Sequence, residues 1–192
     1  MAEVFDVLRA DHGNMQLLLA ALEHSPGHAA GASQEVLRAR KAAADRLVID
    51  AARHEAAEQE YFWPAVRERL GRGNQLADEA SAQEQEVSDA LARLGKLESA
   101  DDEFDQVLAD LIPALRRHLA FEEARVWPQM RQALSPFQVR ELADQLSQAA
   151  ERAAAGSQSR GPARPRGRKV PESAEAAADK LNNAVSRRRP KG

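Results

Sequence analysis

Four long stretches of the chain place apolar residues three and four apart, and each puts an ionisable side chain where the stripe calls for leucine. In the first, from about Ala2 to Glu23, the stripe Phe5, Leu8, Met15, Leu19, Leu22 carries His12 in register. The second, from about Ser33 to Leu70, reads Leu37, Ala44, Leu47, Ala51, His54, Glu58, Tyr61, Ala65. The third, from about Gln75 to Leu97, reads Ala77, Ala80, Glu84, Val87, Leu91, Leu94. The fourth opens at the acidic turn Asp101-Asp102-Glu103 and reads Phe104, Leu108, Leu111, Leu115, His118, Glu122, Val126. Such spacing turns one helix face to a core. Four such faces with short connections predict an all-α fold, an up-down-up-down four-helix bundle over 1–135. Pro113, inside the fourth stripe, predicts a kink that costs about 3 kcal/mol locally.

A lone histidine on an apolar face is usually a satisfied core histidine. Here six ligand-type residues, His12, His54, Glu58, Glu84, His118 and Glu122, sit on four converging faces. Buried carboxylates are costly unless they are paired or bind a metal. His54 and Glu58 are four apart, as are His118 and Glu122, which puts each pair within ~40° on one face and ~6 Å along the axis. An imidazole and a carboxylate so placed share one metal or bridge two. The pair also recurs inside an internal repeat. HEAAEQEYFWPAVRERLG at 54–71 aligns with HLAFEEARVWPQMRQALS at 118–135 at a constant offset, and Trp63 and Trp127 each precede a proline within it. Two helices with equivalent ligand pairs imply a pseudo-symmetric site, suited to two metals or to one shared centre. Phe62, Trp63, Phe121 and Trp127 read as packing aromatics that keep the site dry. Tyr61 reads as packing ahead of a supporting contact to the site, and His24 and His28 as surface residues.

Ser135-Pro136 reads as an N-cap and first-turn proline for an additional helix over 136–155. Beyond it, 156–192 holds ten Lys/Arg against three acids, while the preceding body holds 17 bases and 27 acids, so a basic tail follows an acidic body. GSQSRGPARPRGRKVP cannot build a core, and the tail is expected to be disordered. A helix over 172–186 would be marginal in isolation. The tail either screens the body's own charge or contacts nucleic acid; it lacks the interleaved aromatics that single-strand recognition uses. The chain has no cysteine, which excludes disulfides and thiolate metal sites and makes the cytoplasm the expected compartment. The opening residues carry Glu3 and Asp6 and no apolar run, so no signal peptide is expected. No apolar stretch approaches the ~18 residues of a membrane span.

The set DH at 11–12, HxxxE at 54–58 and HxxxEExxxWP at 118–128 resembles the hemerythrin-like (HHE cation-binding) domains over roughly residues 3–135. The resemblance implies a four-helix bundle around a non-heme di-iron centre with histidine nitrogens and bridging carboxylates as ligands. It also implies oxo- or hydroxo-bridged iron, and dioxygen, peroxide or nitric oxide as small ligands. Members of the family are associated with chemistry on those molecules and with oxygen or iron sensing. On that basis His12, His54 and His118 are expected as terminal nitrogen ligands and Glu58 and Glu122 as bridges. The family usually places a histidine on its third helix, three residues before the first of a set of apolar positions. Counting back from Val87 lands on Glu84, in a QEQE run, and a rotated helix would present Gln83, Gln85 or Glu86 instead. One metal only, or Zn²⁺, is the alternative occupancy.

Three carboxylates against two ferrous ions leave a net charge of about +1, and harder, more anionic ligation favours the ferric state. Oxidative chemistry, namely peroxide decomposition or iron oxidation, is therefore expected over reversible oxygen carriage. The enzymatic reading is a catalase-like or oxidase-like di-iron activity that answers oxidative stress. The competing readings are a non-catalytic iron or oxygen sensor, and a metal-free helical interaction module with a nucleic-acid-contacting tail.

Overall fold

The computed structural model describes residues 3–160 and 170–187, and every regular element among them is helical. Helix α1 spans Val4–His24 and α2 spans Gln34–Ala57. A π-helical turn at Glu58–Phe62 joins α2 to α3, Trp63–Arg69. Helix α4 is Gly73–Leu94 and α5 is Asp102–Phe121. A second π-helical turn at Glu122–Val126 joins α5 to α6, Trp127–Ala133. Helix α7 is Pro136–Arg160 and α8 is Ala174–Ser186. Four rods therefore make the bundle: α1, α2 with α3, α4, and α5 with α6. Each packs against its two neighbours around the ring.

Local chemistry sets the helix ends. Ser33 caps α2, its Oγ accepting from the Val36 N–H. Asp102, Glu103 and Asp105 fill the first turn of α5, where negative charge meets the positive end of the helix dipole. Ser135 and Gln138 form a reciprocal capping box on α7: Ser135 N–H donates to Gln138 Oε1 at 3.0 Å, and Gln138 N–H donates to Ser135 Oγ. The α3–α4 corner is tight enough to need glycine, because a Cβ on Gly73 would lie 2.1 Å from the Val66 carbonyl oxygen. Helix α5 runs unbroken past the expected kink, with Pro113 on its exposed face.

The expected stripe on the second rod fails after Glu58. Phe62, Trp63 and Val66 are buried, whereas Tyr61 and Ala65 are only partly covered. The cause is the π turn, in which Trp63 N–H reaches back five residues to the Glu58 carbonyl. One extra residue in the turn resets the downstream face by about 100°. The second π turn repeats this, with Trp127 N–H on the Glu122 carbonyl and Val126, Trp127 and Met130 buried.

The expectation of a disordered tail from 156 is corrected at both of its described ends. Helix α7 continues to Arg160. Helix α8 docks on α1 and α2 and buries Ala174, Ala177, Ala178, Leu181 and Ala184 in the main core. Its stripe is mostly alanine, which reads as a weak core former, yet small residues let the helix approach closely. Tertiary docking then supplies the stability that an isolated helix of this length lacks. Ser173 caps it, and Arg46 on α2 donates to the Glu172 carbonyl at 2.8 Å. The remaining stretches of the expected disorder, 161–169 and 188–192, lie outside the described residues.

Candidate metal centre

Two apolar clusters fill the bundle, and a polar layer divides them. On α1, Leu8 belongs to one cluster and Met15 to the other, with His12 between them. His54 and Glu58 lie beyond Ala51, around Ala57; Glu84 separates Ala80 from Val87; His118 and Glu122 flank Phe121. All six residues are buried, and Glu58 and Glu122 are 0% exposed. On α4 it is Glu84 that turns inward, while Gln85 and Glu86 are exposed and Gln83 is only partly covered. The helix is not rotated from the expected register.

Donor atoms from these side chains form two groups whose members all lie within 4.8 Å of one another. One group is His12, His54, Glu58 and Glu122; the other is Glu58, Glu84, His118 and Glu122. Glu58 and Glu122 belong to both groups. Glu122 faces each side with a different oxygen: Oε2 is 3.1 Å from His12 Nε2, and Oε1 is 3.2 Å from His118 Nε2. His54 Nε2 lies 3.4 Å from Glu58 Oε2 and 3.2 Å from His12 Nε2. His12 donates its Nδ1 proton to Glu123 Oε1 at 2.8 Å, which leaves its Nε2 lone pair facing inward. Asp11 Oδ2 stands 3.5 Å from His54 Nδ1.

The donor set fits a divalent metal. Neither oxygen of Glu58 or of Glu122 has a hydrogen-bond partner, although all four are buried. Buried acceptors without donors are costly. Imidazole nitrogens and carboxylate oxygens converge at 3.1–3.4 Å across the layer. Metal–ligand bonds of about 2.0–2.2 Å place neighbouring ligands about 3.0–3.5 Å apart, so the spacing suits a shared cation. Mixed imidazole and carboxylate donors suit iron, zinc and manganese.

Electrostatics agree with this arrangement. Burial, then the charges of Glu122 and Glu84, push the Glu58 carboxyl well above its ordinary value. Burial also acts to raise Glu122, but the His118 and His12 rings beside its two oxygens and the charges of His118 and His54 outweigh it and hold this carboxyl well below its ordinary value. Burial pulls His118 down, and Glu122, Glu84 and Glu55 more than restore it, leaving the imidazole above its ordinary range. Burial raises Glu84 against the lowering effects of His118, Trp63 and Gln59.

Two contacts escaped the sequence reading. The Trp63 indole N–H donates to Glu84 Oε1 at 2.7 Å, and Gln59 Nε2–H donates to Glu84 Oε2. Trp63 therefore does more than exclude water. Tyr61 points away from the centre, and its OH accepts from Arg152 of α7 at 3.1 Å. The four aromatics Phe62, Trp63, Phe121 and Trp127 are buried as expected, and His24 and His28 are exposed.

The profile of the hemerythrin HHE cation-binding domain matches residues 3–130. Among solved structures, a hemerythrin HHE cation-binding domain-containing protein from Mycobacterium kansasii superposes with a TM-score of 0.69 at 20% identity, covering 94% of this chain and 100% of that one. That likeness establishes the fold. No curated protein sequence matches significantly. Among the described residues no helix is long and apolar enough to cross a membrane.

Proposed function

Since the chain belongs to the hemerythrin HHE cation-binding domain family, matched over two thirds of its length, we propose that its buried layer holds two iron ions and acts on dioxygen or peroxide. The observation that carries this reading is the membership of Glu58 and Glu122 in both donor groups. His12 and His54 would serve one metal position, His118 and Glu84 the other, and the two shared glutamates both. Iron held this way supplies one-electron redox chemistry and open positions for a small oxygen ligand. Six protein donors leave such positions free on two metals that take about six ligands each.

The chain's own residues support the chemistry in three ways. Phe62, Trp63, Phe121 and Trp127 wall the layer from water, which strengthens electrostatic interactions inside it. The His12–Glu123 hydrogen bond links a fully buried ring to a carboxylate that is 40% exposed, giving a proton a path between layer and solvent. The third carboxylate, Glu84, makes the ligand set more anionic and favours the ferric state, so peroxide decomposition or iron oxidation is preferred to reversible oxygen carriage. Iron-reconstituted protein at sub-stoichiometric concentration should consume peroxide over many turnovers, and Glu122→Ala should abolish this. Consumption that stops at one equivalent per chain would reject catalysis in favour of a sensor.

A further inference from the structure

The two halves of the internal repeat treat their partners differently. At the repeat's constant offset, Gln59 corresponds to Glu123 and Trp63 to Trp127. In the second half both residues attend His12. Glu123 accepts its Nδ1 proton, and the Trp127 ring lies against the imidazole with centroids 4.8 Å apart. The Trp127 indole N–H itself has no acceptor. In the first half the corresponding residues both attend Glu84, Gln59 through its amide N–H and Trp63 through its indole N–H, one to each carboxylate oxygen. Glu84 is thus to the first half what His12 is to the second.

The polarity reverses with the partner. The imidazole N–H of His12 meets an acceptor, and the carboxylate of Glu84 meets two donors. A glutamate at position 59, as the repeat would have it, would set two carboxylates against each other with no proton donor between them. Glutamate has a long, flexible side chain, and a bond at each oxygen fixes both its direction and the plane of its carboxylate. Each oxygen keeps a second lone pair for other use.

We propose that Gln59 and Trp63 are positioning residues for Glu84, a matched donor pair that sets a carboxylate instead of an imidazole as the α4 ligand of the second metal position. This rests on the di-iron reading above. Residue 59 is then the specificity determinant: amide with glutamate at 84, carboxylate with histidine at 84.

The test has a metal-free arm and a metal arm. In metal-free, nitrogen-15-labelled protein the two indole N–H resonances are assigned with Trp63→Phe. Glu84→Leu should move the Trp63 resonance upfield and leave that of Trp127 in place; an unmoved Trp63 resonance overturns the proposal whatever the metal content. In the metal arm, Gln59→Glu should lower iron from about two to about one per chain. Adding Glu84→His to Gln59→Glu should restore about two, with shifted charge-transfer bands. Wild-type protein with two irons and a Gln59→Glu variant with the same loading and spectrum would overturn the pairing and leave the di-iron reading standing. Wild-type protein that takes no iron would remove the di-iron reading, and with it the ligand role of Glu84.

Discussion

Glu58 carries the sharpest conflict between folding and function at the scale of single residues. It is fully buried, and neither oxygen has a hydrogen-bond donor. Replacing a buried ionisable group that lacks partners with an apolar group of similar size is often stabilising by about 1–4 kcal/mol. Glu58→Met should therefore raise the melting temperature of the metal-free protein while lowering its iron content, a pairing that calorimetry and metal analysis check together. The proton count follows from the same residue. Burial, then the charges of Glu122 and Glu84, hold the Glu58 proton above the ordinary carboxylate range, and a metal must displace it. Metal uptake should thus release protons, and affinity should rise with pH and fall on acidification. Titration calorimetry in two buffers of different ionisation enthalpy reads the number released; none released would contradict the shift. The six-residue layer was legible in the sequence because His54, Glu58, His118 and Glu122 sit at helical spacing, where leucine would otherwise stand. Gln59 was not, because a glutamine on the outward side of a stripe looks like any solvated residue until its neighbour across the bundle is known.

The π turns are what place the ligand pairs at the scale of the element. Each begins at the second ligand of its pair and ends just before a Trp-Pro step. Proline at 64 and 128 has no N–H to donate, and its ring would collide with a carbonyl four residues back in a regular α-helix. A widened turn relieves that collision. The prolines were visible in the sequence, but reading them as first-turn residues of a new segment requires one residue beyond the 3.6 period, and the stripe beyond Glu58 was misassigned for that reason. Deleting Ala124, an exposed residue of the second turn, should withdraw Trp127 and Met130 from the core. Losing buried side chains of this size costs about 3–5 kcal/mol, and chemical denaturation should show it; unchanged stability would mean that the turn sets nothing downstream. The docking of helix α8 on the bundle was not legible, because its buried stripe is Ala174, Ala177, Ala178, Leu181 and Ala184. Only Leu181 has the bulk that marks a core position. Leu181→Ala should cost about 2–5 kcal/mol and expose the tail to limited proteolysis ahead of the bundle.

Across the whole molecule, the polar layer divides two apolar clusters, and all four rods of the bundle contribute to it. Helices α7 and α8 reinforce the α1–α2 face on the two sides of the layer, α7 with the cluster around Trp63 and Trp127 and α8 with the cluster around Leu47 and Phe104. A metal that joins four helices should stabilise the native state by mass action, so chelation should lower the melting temperature without changing the helical content. The four-rod bundle was readable from periodicity, whereas the division of labour between the two donor groups was not, since sequence spacing does not say which imidazole faces which oxygen. The groups share only Glu58 and Glu122, so their histidines should report on separate metals. The decisive measurement is iron per chain, by mass spectrometry after anaerobic reconstitution, for wild type, His54→Ala, His118→Ala and Glu122→Ala. Two shared-carboxylate positions predict about two, about one, about one, and fewer than one. Equal loading of all four proteins, or a wild type that holds a single ion lost equally in every variant, would contradict a two-metal centre.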